Sequence, residues 1–209
     1  MNKLFKIFNI QNLDTNQKWI ASSILLGGFL LTYVSPTIVK EIYSELPARW
    51  IAFESLFGAF AGLIISMLWK GAIRKNAMKR FLYLIGAETI AGIVLCIYLT
   101  CIEYNVWVLA ITSLIYTAFI TIFIGKCIMV FKTKLWNNKE REEYDNNMSI
   151  ISQIVCILGY MASLLYLPSL QTSLILWGVA YFVDNIGWSM VYYRNKKQLE
   201  NDTQEVCES

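Results

Sequence analysis

The chain has 209 residues, of which 56% are hydrophobic and 16% charged, with a net charge of +3, and its mean hydropathy is +0.48. That apolar share exceeds what one water-soluble core of this size uses, so the excess must face lipid. Histidine is absent, which removes His-based metal sites, His general bases and His-activated nucleophiles. The basic residues lie between apolar runs rather than in one stripe with interleaved aromatics, so nucleic acid is not an expected partner.

In chain order, residues 1–18 carry Lys3, Lys6 and Lys18 between Leu4, Phe5, Ile7, Phe8 and Ile10, the pattern of a short cytoplasmic segment lying on the inner membrane surface. The first long apolar run ends in Val34, Ser35 and Pro36 followed by Thr37 and Ile38, with no small-residue cleavage site, and reads as a retained helix. A helix needs about 20 mostly apolar residues to span roughly 30 Å of hydrocarbon. Runs of that kind predict an all-α polytopic bundle of six spans, at about 19–39, 50–70, 80–101, 105–131, 148–167 and 171–193. Together they form one transmembrane domain over 19–197, followed by an acidic, disordered cytoplasmic tail over 198–209.

Charge between the runs sets the orientation. Lys70, Arg74, Lys75, Lys79 and Arg80 separate the second and third spans, whereas Glu103, Tyr104 and Asn105 separate the third and fourth. Lys132, Lys134, Lys139 and Arg141 follow the fourth span, and Arg194, Lys196 and Lys197 follow the sixth. Basic residues are retained on the cytoplasmic side, which predicts both termini inside and a multi-pass protein of the cytoplasmic membrane. Trp19, Trp50, Trp69, Trp107, Trp136 and Trp188 fall near span ends, where indole rings favour the interface.

Ionisable groups within spans cost about 2.5–3.5 kcal/mol near the bilayer centre on insertion scales, so they are the first functional candidates. Counting about 1.5 Å per residue from the inner ends puts Glu88 roughly 12 Å deep, Asp184 roughly 14 Å and Lys126 roughly 8 Å. A lysine among these carboxylates either neutralises them as a structural cluster or accompanies carboxylates that take and release protons. Glu54, at the outer end of the second span, reads as interfacial. Tyr116 and Thr117 on the fourth span, Gln153 on the fifth and Asn185 on the sixth are candidate cavity-lining residues. Gly58 and Gly62 form a G-x-x-x-G step suited to close helix approach. Cys96, Cys101, Cys127 and Cys156 lie in apolar segments and Cys207 in the tail, with no C-x-x-C spacing, so they read as small packing residues.

Three stretches carry a resemblance that covers the whole chain: GLIISMLWKGAIRK from Gly62 to Lys75, KEREEYDNNMSIIS from Lys139 to Ser152, and YYRNKK from Tyr192 to Lys197. The order of segments resembles one half of a major facilitator superfamily transporter, whose halves are six-span bundles with both termini inside. Where that family's second-to-third loop motif places Asp four residues after Gly, this chain has Ser66, so the charge lock between helices is missing. The resemblance implies a small-solute transporter or efflux subunit working by alternating access, as a homodimer or with a partner half, around a midplane site. Glu88 and Asp184 would then be coupling or binding carboxylates and Lys126 their counter-charge. The competing expectation is a non-transporting accessory or immunity membrane protein that protects against a membrane-active peptide. Neither reading calls for a cofactor or a metal, and an enzyme is not expected, since the carboxylates lack a metal motif or His base.

Overall fold

Asp14 begins the first helix because its side chain can satisfy an amide that the opening turn leaves without a partner. Its carboxylate accepts from the backbone N–H of Gln17 at 2.7 Å, and Gln17 Oε1 accepts from the backbone N–H of Asp14 at 3.1 Å. The computed structural model describes residues 14–47, 49–69, 72–115 and 122–205, with backbone alone for 72–80, 198 and 200–205. From this cap α1 runs over Thr15–Glu45, followed by α2 (Arg49–Leu68) and α3 (Ala72–Ile97), which ends in a wider π turn over Tyr98–Ile102. The chain continues with α4 (Val106–Ile115), α5 (Ile122–Leu135), α6 (Asn138–Leu165) and α7 (Leu170–Glu205). Asn105 Oδ1 caps α4 by accepting from the backbone N–H of Trp107 at 2.9 Å. Asn137 and Glu140 form a second capping box at the start of α6.

The protein is an all-α helical bundle. α1, α2, the Phe81–Ile102 segment, α6 and the Leu170–Lys197 part of α7 are each long and apolar enough to cross a membrane, while Val106–Ile115 is shorter. Leu164 and Leu165 on α6 are 85% and 88% exposed, and Leu56, Phe60 and Met67 on α2 also point outward. Apolar surface of that extent fits lipid and not water, so the chain is a multi-pass membrane protein. Of the predicted fourth span, the described parts are α4, packed in one half of the bundle, and α5, packed in the other; residues 116–121 lie outside the described residues.

Between helices, small residues set the contacts, as expected where lipid removes the hydrophobic drive for helix association. α1 is the central strut, packed most extensively on α7 and also on α6. A Cβ on Gly187 would lie 2.0 Å from Ser23 Oγ, and one on Gly159 would lie 2.0 Å from Thr32 Oγ1, so these glycines let α7 and α6 close onto α1. On the other face of α7, Gly178 meets Cys96, and Gly92 of α3 receives the Tyr181 ring. Thr37 Oγ1 ties α1 to the α6–α7 turn by donating to the Pro168 carbonyl at 3.1 Å.

Two apolar clusters stack along the bundle. At the end assigned outside by the basic-residue rule, Val34, Ile38, Ile42, Leu99, Leu109, Leu174, Trp177 and Tyr181 form one. At the inner end Ile20, Phe81, Cys127, Phe131, Tyr144, Trp188 and Tyr192 form the other. Its rings are in mutual contact, with Phe81 5.1 Å from Phe131 and Phe131 5.6 Å from Trp188 between centroids. Trp136 and Trp188, expected as interfacial anchors, are only 5% and 2% exposed and belong to this core, whereas Trp19 and Trp107 are 44% and 49% exposed. Asn195 leaves helical torsion (φ −111°, ψ 15°) and kinks α7 at its inner end. Beyond the kink the backbone stays helical to Glu205, into the stretch over 198–209 expected as a tail. Leu199 is buried there, and its carbonyl accepts from Lys134 Nζ at 3.2 Å.

Candidate functional site: a polar layer beneath an aromatic cavity

Between the two clusters lies a layer of polar side chains. On α3 it falls between Ile85 of the inner cluster and Cys96 of the outer one, and on α7 between Trp188 and Tyr181. Glu88 and Asn185 fill this seam, 7% and 5% exposed. The Asn185 amide donates from Nδ2 to Glu88 Oε2 at 3.2 Å and to Thr89 Oγ1 at 3.0 Å, while Thr89 donates to the Ile85 carbonyl at 2.9 Å. Asp184, half-buried beside Asn185, lies against Gly27 of α1, where an added Cβ would come 3.1 Å from its own Cβ. The seam between the apolar clusters thus carries two carboxyl groups, Glu88 on α3 and Asp184 on α7.

The expected residues are thus partly gathered. Glu88, Asp184 and Asn185 form one layer. Lys126 lies half-buried on α5 next to Cys127 of the inner cluster. Gln153 is exposed on α6. Tyr116 and Thr117 lie outside the described residues.

Glu88 has a second surrounding. Its side chain lines an apolar cavity of about 450 Å³ between α2, α3 and α5, with Ile65, Leu84, Phe123 and Ile124 among the walls. The carboxyl group therefore stands between the interhelical seam with α7 and a lateral space on the opposite face of α3.

A cavity of about 250 Å³ occupies the outer half, enclosed by α1, α2, α4 and α7. It runs from Tyr43 and Glu54 near the outer end down to Leu31 and Tyr181. Trp50 and Trp177 also line it, and the Trp177 and Tyr181 rings are 5.3 Å apart. Tyr43 donates its hydroxyl to Glu54 Oε2 at 2.8 Å, joining α1 to α2 across the opening. Nearby, Tyr104 donates to Glu41 Oε1 at 2.9 Å. Burial, that hydrogen bond, and the Glu41 and Glu45 charges raise the Tyr104 pKa above its ordinary value.

Tyr181 connects the two features. It forms part of the cavity floor, rests against Gly92, and precedes Asn185 by one helical turn on the same face of α7. Sequence reasoning missed this cavity because Trp177 and Tyr181 look like ordinary span residues, and because Glu54, at a span end, reads as interfacial. The usable signal was the four-residue spacing of Trp177, Tyr181 and Asn185, an aromatic stripe ending in an amide.

Beside the lateral cavity at Glu88 the centre of the inner half is packed by the stacked rings of Phe81, Phe131 and Tyr192, with Trp188 edge-on to Phe131. At its rim Lys132 pairs with Asp145 and places its Nζ 5.1 Å from the Tyr144 ring centroid. Among the described residues no group of three or more His, Cys, Asp or Glu side chains is arranged to hold a metal ion. No family model, no curated protein and no solved structure matches the chain.

Proposed function

We propose that this protein is a solute transporter or efflux subunit of the cytoplasmic membrane, working by alternating access. The observation that carries the reading is the stacking of three levels along one axis: an outer cavity, a buried Glu88–Asn185 layer with Asp184 one turn below the cavity floor, and an aromatic plug beneath. An outer cavity above a buried polar layer, with an aromatic plug on the axis beneath it and a lateral cavity reaching Glu88, is the arrangement expected of one end-state of an alternating-access carrier. Glu88 and Asp184 are the coupling groups, exchanging protons as access to the layer changes sides. The segment order resembling half of a major facilitator transporter supports the same reading, and the second half of the path is supplied by another copy of the chain or by a partner half.

Purified protein in liposomes with an internal pH dye tests this. A solute panel should contain members that drive proton movement, and Glu88→Gln should abolish that movement while leaving insertion and monodispersity intact. Coupled movement unchanged in Glu88→Gln would remove Glu88 from the mechanism. Absence of flux together with protection of expressing cells from a membrane-active peptide would instead establish the accessory role.

A further inference from the structure

The chemistry of the outer cavity restricts what it can hold. Among the described residues its lining contains one carboxylate, Glu54, and no basic residue. Among the described residues no Lys or Arg lies within ion-pair distance of Glu54, whose hydrogen-bond partner is the Tyr43 hydroxyl. The rest of the described wall is aromatic or aliphatic, with the hydroxyls of Ser35, Ser113, Tyr43 and Tyr181 and the indoles of Trp50 and Trp177 as its other polar groups. An anion or an amino acid would find no cation for its carboxylate on such a wall. The connections at this end add to the bias, with Glu41, Glu45 and Glu103 near the opening against Lys40 and Arg49.

Aromatic faces attract a positive charge through their quadrupole, most strongly when water is excluded, and a carboxylate at one end fixes which end of the ligand is charged. We infer that the outer cavity binds a small organic cation with an apolar body, its charge toward Glu54 and Tyr43 and its apolar part against Trp177 and Tyr181. This deepens the transport reading by naming the class of cargo, but the binding site stands on the cavity alone.

The probe is benzyltrimethylammonium, compared with phenylacetate and benzyl alcohol, which share the ring and differ in charge. Titration of the full chain in nanodiscs, followed by tryptophan fluorescence, should give saturable binding of the cation only. Glu54→Gln should weaken it by about tenfold or more, the loss of one charge contact, with the melting temperature retained. Ser113→Leu, which fills the cavity without touching the carboxylate, should abolish binding by a separate route. Equal binding of phenylacetate or benzyl alcohol, an affinity unchanged in both variants, or no saturable binding of the cation would each overturn the inference. Saturable, Glu54-dependent binding with no uptake of the cation into proteoliposomes would confirm the site and refute transport, so the two failures are distinguishable.

Discussion

Asn185 of α7 and Glu88 of α3 are joined by a 3.2 Å hydrogen bond in the seam between the two apolar clusters, 97 residues apart in sequence. The same amide reaches Thr89, so one side chain serves two acceptors on the neighbouring helix. Asn185→Leu should therefore cost about 0.5–2 kcal/mol, the usual size of an interhelical hydrogen bond in a membrane bundle plus the loss of a donor to a buried carboxyl group. Thermal unfolding in detergent checks this. An unaltered melting temperature would mean that Glu88 finds an equivalent donor.

Glycines in this bundle differ sharply in what surrounds them. A methyl group at Gly187 would collide with Ser23 and approach the Trp19 carbonyl at 2.9 Å, whereas one at Gly58 meets nothing within 4 Å. Gly187→Ala should destabilise the α1–α7 contact by about 1–3 kcal/mol. Gly58→Ala should be neutral, or stabilising by up to about 1 kcal/mol through helix propensity. Comparing the two melting curves tests whether α1 and α7 are packed as described, since reversal of the order would contradict that packing.

Tyr144 is buried and, among the described residues, its hydroxyl has no hydrogen-bond partner, nor has the Trp136 indole N–H, against which its ring packs at 4.8 Å. Removing a buried polar atom that has no partner carries no hydrogen-bond penalty. Tyr144→Phe should leave stability within about 0.5 kcal/mol of the parent or raise it slightly. A loss above about 1 kcal/mol in the same unfolding assay would reveal a partner for the hydroxyl.

The membrane bundle was legible in the sequence because span length and apolar run are the same quantity: a segment long enough to cross is apolar along its whole length. Among the described residues five of the six expected spans are long apolar helices, and the fourth is described on both sides of residues 116–121. Sequence also singled out Glu88, Asp184 and Asn185, because polar groups in apolar runs stand out. What it could not supply was the rotation of each helix. Apolar residues surround every span, so no periodicity distinguishes the faces toward lipid from those toward protein. That is why Trp188 was read as an anchor rather than as part of the inner core. The same ambiguity concealed Trp177 and Tyr181 as cavity walls. Depth along the axis can be counted from sequence, whereas azimuth comes only from glycine contacts such as Gly27 against Asp184 and Gly92 against Tyr181.

Access to the polar layer from alternate sides can be measured directly with cysteine labels, after replacing Cys96, Cys101, Cys127, Cys156 and Cys207. Ser113→Cys reports the outer cavity, and Ala21→Cys, 7% exposed in the parent structure, reports the packed inner half. In membrane vesicles of defined sidedness, impermeant thiol reagents should label Ser113→Cys from the outer side in the resting state and leave Ala21→Cys protected. Transported solute or a pH step should then raise labelling of Ala21→Cys from the inner side as labelling of Ser113→Cys falls. Adding Glu88→Gln should abolish that reciprocity under the pH step. A constant rate at Ser113→Cys, with Ala21→Cys unreactive under every condition, would contradict alternating access and leave a static bundle.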